Sequence, residues 1–368
     1  MKIVEIHTHN LGAVPNGKLS LMNDWRGEVE NRVLLTGVNG CGKSTLLRAI
    51  AMMWEALGYW LEHKKILPEN HHSANYFEKW GCSIAIVLDD VTDITGTSKQ
   101  KIGLVFGDQE WFHQTELNNR IDIEWIGETY QDFLILCVVE TREERQSDNP
   151  LSFLLPTANW FETWSHKRKA LMISDSIKGL PNMMYLDAEE RRWVKPTENV
   201  GEFYADLVSQ RWLAKYLVNK DWRGQLEASL INLKILDNDK FNVTIDKLNQ
   251  FLSDKKILKK LSEYSNRIDV QLGKTSFGLD ELSSGEHQVL IMLFLMLRWL
   301  NKGGIVLIDE PDLFLHPSLV SGFLSTLELE AERLGAQLII TSHSDDVWRR
   351  YENFGVRIDM SGGEYNVR

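Results

Sequence analysis

The sequence predicts an α/β fold: a parallel sheet that carries a phosphate-binding loop, with an antiparallel β meander and an inserted helical lobe. Three observations carry that expectation. The apolar run Val33, Leu34, Leu35 feeds into Gly-Val-Asn-Gly-Cys-Gly-Lys-Ser-Thr at 37–45, and a helix-like stretch comes next over 46–61. Two continuous aliphatic runs, 305–308 and 338–340, read as strands buried on both faces, the pattern of a parallel sheet. Between 201 and 264 glycine and proline nearly vanish while Leu, Lys and Glu recur at helical spacing. These shifts divide the chain into a first half of the core at 1–140, an inserted and mainly helical lobe at 141–265, and a second half of the core at 266–368.

Each element has its own signal. Ile3, Val4 and Ile6, then Leu19 and Leu21 beyond a stretch of Gly, Pro and Asn, read as two strands joined by a turn. Leu46, Leu47, Ile50, Met53, Trp54 and Leu57 repeat at the spacing of a mostly buried helix. Apolar runs at 83–88, 101–106 and 120–126, separated by Gly, Asp and Asn, predict the antiparallel meander, with a fourth buried strand at 133–139 and an exposed loop at 141–156. Trp160, Phe161 and Trp164 precede His166, Lys167, Arg168 and Lys169; such a segment can grip nucleic acid, but a solvated helix with one apolar side has the same composition and is the preferred reading. A strand at 184–186 ends in Asp187-Ala-Glu-Glu-Arg191-Arg192. Residues 201–264 are read as about three helical segments, and Lys255, Lys256, Lys259 and Lys260 then share two adjacent turns as a solvated face or a phosphate-backbone contact. Residues 289–297 are apolar on every side, which predicts a fully buried helix. Strands at 268–272, 356–358 and 364–367 complete the reading.

Composition narrows the classes. The formal charge of −11 disfavours a globally basic nucleic-acid clamp while leaving local patches open. Cys41, Cys82 and Cys137 are too few and scattered for a disulfide framework or a zinc site, so a reducing cytoplasm is expected. The longest apolar run, at 289–297, falls short of the ~20 residues that span a bilayer, so no membrane association is expected. Thirteen tryptophans suit core packing and a protein interface.

Four motifs carry chemistry. Gly37, Gly42, Lys43 and Ser44 fit the pattern in which backbone N–H groups at a helix N-terminus cradle phosphate oxygens; Lys43 reaches the β/γ-phosphates and Ser44 ligates Mg²⁺. That places Asn39, Gly40, Cys41, Gly42, Lys43, Ser44 and Thr45 around a nucleotide, with Asn39 and Gly40 suited to positive φ. Asp309 and Glu310 end an aliphatic strand, where an α/β sheet presents groups to a ligand; Asp309 suits the metal and Glu310 the base that polarises water. Leu282-Ser283-Ser284-Gly285-Glu286 opens the all-apolar helix and reads equally as an anion-binding helix start or an ordinary cap. His343, in Thr341-Ser-His-Ser after the next apolar strand, stands where it can reach a γ-phosphate.

In that order these stretches resemble the Walker A, signature, Walker B and switch-histidine motifs of ABC-type ATPases. The continuation Glu310-Pro-Asp-Leu-Phe-Leu-His-Pro resembles the soluble RecF/SMC-like branch, which includes OLD-family and other phage-defence ATPases. The resemblance covers 1 to about 60 and 265–360, and the middle third resembles no named family. It implies ATP and Mg²⁺ as cofactors and a head-to-head homodimer, or a higher even-numbered oligomer. Ser283, Ser284, Gly285 and Glu286 of one copy would cap the nucleotide on the Lys43 loop of the other, with Glu310 as base and His343 on the γ-phosphate. Two departures stand out. No glutamine-bearing Q-loop is evident, with Gln131 and the segment 187–191 as candidate places; and only 25 residues come after His343, too few for the nuclease domain OLD proteins carry there. The expected function is an ATP-hydrolysing switch or scaffold in a bacterial anti-phage defence system that controls a separate effector, a nuclease or a toxin. A RecF/SMC-like DNA repair or recombination ATPase, which binds nucleic acid, is the alternative, and a transporter subunit a third reading disfavoured by the missing Q-loop.

Overall fold

The computed structural model describes residues 1–23, 25–92, 99–131, 151–156, 159–173, 180–196, 207–216, 220–221, 225–263 and 265–367. The fourth strand expected at 133–139, most of the loop expected at 141–156 and the start of the lobe at 201–206 lie outside them.

In chain order the first strands are β1 (Lys2–His9), β2 (Gly17–Ser20), β3 (Met22–Asn23), β4 (Glu28–Val29) and β5 (Arg32–Thr36), which leads into α1 (Lys43–His63) and α2 (His72–Trp80). Next come β6 (Ser83–Thr92), β7 (Lys99–Asp108), α3 (Gln109–Gln114), β8 (Ile123–Tyr130), β9 (Leu151–Leu154), α4 (Asn159–Ile173), β10 (Met183–Leu186) and β11 (Leu213–Lys215). The remaining elements begin with α5 (Leu226–Leu236), α6 (Asn238–Asn249), β12 (Lys255–Leu261), β13 (Ile268–Leu272), β14 (Thr275–Gly278) and α7 (Ser284–Trp299). The chain then adds β15 (Ile305–Ile308), α8 (Pro317–Arg333), β16 (Gln337–Thr341), α9 (Asp345–Phe354), β17 (Val356–Asp359) and β18 (Asn366–Val367).

Two large sheets enclose α1. The seven-stranded sheet has the order β11-β10-β15-β16-β5-β17-β18 and is parallel up to β17. Its central strands are apolar on both faces and divide by alternate residues, as the pleat requires. Val33, Leu35, Ile305, Leu307 and Ile339 pack toward α1, while Leu34, Val306, Ile308, Leu338 and Ile340 pack with α7 and α8. The six-stranded sheet, β2-β1-β6-β7-β8-β9, covers the other side of α1 through Ile3, Ile6, Ile84, Ile86, Leu104 and Phe106. Helix α1 is therefore buried along most of its length, and α7 from His287 to Met296 is buried without interruption. Trp160, Phe161 and Trp164 of α4 join the α1 core, in line with a helix that has one apolar side.

Two expectations need correction. The strands over 83–126 do not form an antiparallel meander, because β8 pairs β7 in parallel from Lys101↔Ile123 to Asp108↔Tyr130. A parallel pair needs a crossover rather than a hairpin. Residues 109–122 supply it: Asp108 caps α3 by accepting the Trp111 N–H at 2.8 Å, and a 3-10 turn comes next at Leu117–Asn119. Over 201–264, where about three helical segments are expected, the described residues hold two α-helices, α5 and α6, and the four-lysine segment is strand β12. There the pairing of Ile257 with Val270 of β13 overrides the weak helical preference of lysine. Two strands within 141–265, β10 and β11, are members of the central sheet. No helix among the described residues is long and apolar enough to cross a membrane.

Candidate nucleotide-binding and hydrolysis site

The loop between β5 and α1 is shaped by three glycines at positive φ: Gly37 at 143°, Gly40 at 80° and Gly42 at 92°. Asn39, expected to share that role, is not among the positive-φ residues. Gly42 is sterically obligatory, because a Cβ there would meet the Val14 backbone N at 2.6 Å and Cα at 2.8 Å. As the N-cap it supplies no side-chain acceptor, and the first turn of α1 holds no acidic residue. The N–H groups of Lys43, Ser44 and Thr45 thus stand without intrahelical acceptors at the positive end of a long helix, a ready anion site. The Lys43 ammonium is 6% exposed and donates to the carbonyls of Gly37 at 3.0 Å and Val38 at 3.2 Å. Among the described residues no carboxylate lies within ion-pair distance of it, so its charge is free to meet an incoming anion. Asn39 and Gly40 are exposed at the mouth, with Cys41, Ser44 and Thr45 half-buried.

Strands β15, β16 and β5 are neighbours in register, Ile308 beside Ile340 and Leu35 beside Thr341. The residues just beyond their carboxyl ends therefore emerge on one edge of the sheet: Asp309 and Glu310, then Ser342 and His343, then the phosphate loop. This carboxyl edge is where α/β sheets bind ligands. The Thr341 hydroxyl donates to Asp309 Oδ1 at 2.6 Å and accepts the Glu310 N–H at 2.9 Å. Asp309 is 4% exposed and makes no ion pair among the described residues, a donor suited to a hard cation. Glu310 has a φ of 46°, outside the usual range for a side chain of its size, and its Oε1 lies 3.4 Å from His343 Nε2. Burial and then the Asp309 charge push the Glu310 carboxyl above its usual range, opposed by His343 and Lys43. A carboxylate so raised is a better proton acceptor than a solvated one. Asp312 is also raised by burial, and its Oδ2 accepts from the Ser342 hydroxyl at 3.0 Å.

The turn that opens α7 lies apart. Ser283 caps the helix, accepting the Glu286 N–H at 3.4 Å, while Glu286 accepts the Ser283 N–H at 2.7 Å and pairs with Lys255 at 2.8 Å. The Glu286 carboxylate is consequently engaged within its own chain, and Ser283 and Ser284 are exposed. Gly285 allows close approach, since a Cβ would meet the Phe314 carbonyl at 2.9 Å. No described hydrogen bond or ion pair joins residues 283–286 to the phosphate loop. The structure thus gathers Lys43, Asp309, Glu310 and His343 on one edge, and does not bring the four signature residues to them within one chain.

Of the two candidate Q-loop places, Gln131 is exposed after β8 of the outer sheet, while 187–191 lies directly after β10, beside β15. There Asp187 accepts from Arg48 of α1 at 2.5 Å and from Tyr185 at 2.7 Å. Arg48, Thr341, Asp312 and Arg191 belong to the site but carried no assigned role in the sequence. The signal was weak: a cluster of acids and bases directly after a strand, and a Thr two residues before His343.

The stretch 221–347 matches the family described as "AAA domain, putative AbiEii toxin, Type IV TA system". The "Retron Vc95 probable ATPase" of Vibrio cholerae serotype O1 biovar El Tor is 22% identical over 379 aligned positions, 92% of this chain and 71% of that one. The chain thus resembles an AAA-domain family over about a third of its length and a probable ATPase over most of it. The matched stretch includes the turn at 283–286, the acidic pair 309–310 and His343, and the retron relative extends the likeness to most of the chain. Among solved structures, a "SmcHead bound to the C-winged helix domain of ScpA" has a TM-score of 0.49 at 13% identity, covering 100% of this chain and 97% of that one. An SMC head domain from Thermotoga maritima has a TM-score of 0.38 at 13% identity, with 100% and 98% coverage.

Proposed function

We propose that the chain is an ATP-binding and ATP-hydrolysing switch of a bacterial anti-phage defence system, acting in the cytoplasm. It closes head to head with a second copy around ATP and thereby controls a separate effector protein. One observation carries this reading: Lys43, Asp309, Glu310 and His343 converge on one sheet edge, while the exposed signature turn makes no bond to the phosphate loop of its own chain. A second copy can bring that turn to the nucleotide. The AbiEii-type description and the retron ATPase support the defence setting.

In this mechanism the Lys43 ammonium leaves the carbonyls of Gly37 and Val38 for the β- and γ-phosphate oxygens, and the N–H groups of Gly40 to Thr45 take the rest. Ser44 and Asp309 would hold Mg²⁺, which supplies charge neutralisation on the phosphates. Glu310 accepts a proton from water as the water oxygen bonds the γ-phosphorus and the bond to the bridging oxygen breaks, releasing ADP and phosphate. His343 contacts the γ-phosphate. Ser283, Ser284 and Gly285 cap that phosphate in trans, with Glu286 fixing their turn. Loss of the γ-phosphate removes the tie between copies, so hydrolysis reopens the dimer. The test is oligomeric state with ATP and Mg²⁺ by light scattering: Glu310→Gln accumulates the dimer, whereas Lys43→Ala stays in the nucleotide-free state. Equal dimerisation of both variants contradicts the reading.

A further inference from the structure

The segment 187–193 touches three parts of the site: α1, the acidic loop after β15, and α7. At its start, Asp187 ties to Arg48 of α1. At its end, Trp193 stacks on His287 of α7, centroids 4.5 Å apart and planes within 6°, and donates to Asp280 Oδ1 at 2.8 Å. Between them the Arg191 guanidinium is fully buried. One nitrogen, Nη1, donates to the carbonyls of Leu186 at 3.1 Å and Asp309 at 2.6 Å; Nη2 donates to the Glu310 carbonyl at 2.8 Å. Its Nε donates to Gln288 Oε1 of α7 at 2.8 Å, and Gln288 Nε2 returns a bond to the Arg191 carbonyl at 2.5 Å.

The chemistry of this arrangement is specific. Burying a guanidinium is costly, and among the described residues no carboxylate pairs with Arg191 to offset the cost. Burial accordingly lowers its pKa to about 10, and its donors are spent on neutral acceptors. Those acceptors are the Leu186 carbonyl, the carbonyls of Asp309 and Glu310, and the side-chain amide of Gln288 on α7. Glu310 sits at a φ of 46° and needs its surroundings to hold it there. Thr341 holds its N–H and Arg191 its carbonyl, one on each side of the Cα. Only a planar fork can reach the carbonyls and Gln288 together; an ammonium is a point donor.

We propose that Arg191 is a positioning residue that couples the signature helix to the hydrolytic base: a shift of α7 is passed through Gln288 and the guanidinium to the backbone of Asp309 and Glu310. This coupling rests on the proposed ATPase switch. Docking of the signature turn on a second copy's nucleotide would then set the aim of Glu310 in its own chain, so that turnover waits for closure of the dimer.

The test compares wild type with Arg191→Lys, Gln288→Leu and Gln288→Glu, reading kcat and KM for ATP at protein concentrations where turnover per chain has reached its plateau, with thermal melting alongside. Arg191→Lys and Gln288→Leu are expected to lose ~10–100-fold in kcat, the cost of a displaced reacting group, with KM within about threefold of wild type. Gln288→Glu keeps an acceptor for Nε and recovers most of the rate lost in Gln288→Leu. Unchanged kcat in Gln288→Leu overturns the coupling even where Arg191→Lys fails to fold. A rise in KM in step with lost melting temperature overturns it too, because that pattern marks a purely structural bond. Absence of turnover in the wild type overturns the underlying ATPase reading and the coupling with it, an outcome distinct from either.

Discussion

Thr341 shows how much of this site depends on a single small side chain. Its hydroxyl is the link between the Asp309 carboxylate and the Glu310 N–H, so one oxygen anchors the side chain of the first acid and the backbone of the second. Glu310 is next in consequence. Its carboxyl is raised by burial and by Asp309, and lowered by the cation-forming His343 and by Lys43. As the proposed base, Glu310 works only as carboxylate, so turnover is expected to fall as pH drops through this raised value. His343→Ala removes a lowering influence, and the acid limb of the kcat profile should move to higher pH. A limb that stays in place or moves down contradicts the assigned base. Lys43 and the acidic pair were legible in the sequence because the roles proposed for them require fixed residue types at fixed spacing. Thr341 and Arg191 were not, since a hydroxyl or a guanidinium acquires such a role only from the groups that stand opposite it.

At the scale of elements, α1 is the member on which both sheets converge. Trp54 of α1 is fully buried and stacks on Trp212 at 4.4 Å, and each indole N–H donates to the other residue's carbonyl at 2.9 Å. Trp54→Ala removes the stack, one of the bonds and a large volume. It is expected to cost ~3–5 kcal/mol in chemical denaturation. A loss below ~1 kcal/mol would mean that the site collapses without a cavity. The outer sheet has an electrostatic tie of its own at Glu5, which meets His7 at 3.2 Å, Lys18 at 3.0 Å and Arg120 at 3.3 Å. The His7 hydrogen bond foremost, with Lys18 and Arg120 against an opposing burial effect, holds the Glu5 carboxyl down to about 2. A folded pKa below the unfolded one stabilises above the unfolded value and is lost as pH falls toward the folded one. The melting-temperature gap between wild type and Glu5→Gln should therefore be full at neutral pH and close between pH 4.5 and about 2. A gap independent of pH contradicts the charge pairing. The central strands and α7 were evident from continuous apolar runs, whereas β12 and the parallel β7–β8 pair were not. Strand identity at 255–261 and the direction of β8 depend on partners distant in sequence.

For the whole molecule, the two functional readings differ in the target that closure of two copies acts on. The DNA-binding alternative relied on four lysines sharing a helix face. In the strand they occupy, Lys255 pairs with Glu286 and Lys259 with Asp246, which leaves Lys256 and Lys260 exposed. Under the defence reading, DNA should leave ATP turnover unchanged even at low salt. Stimulation that falls steeply with salt and disappears on replacing Lys256 and Lys260 would favour the repair reading instead. The sequence by itself determined the phosphate loop, the acid-ended strand and the α/β class, because glycine φ requirements, helix-start N–H groups and two-sided burial are local properties written into residue type and order. Tertiary structure alone decided that three strand ends share one edge, that Arg191 reaches both acids and the signature helix, and that Glu286 is spent on Lys255. Those are contacts across 31 to 306 positions of chain, set by how sheets and helices pack and by no local preference.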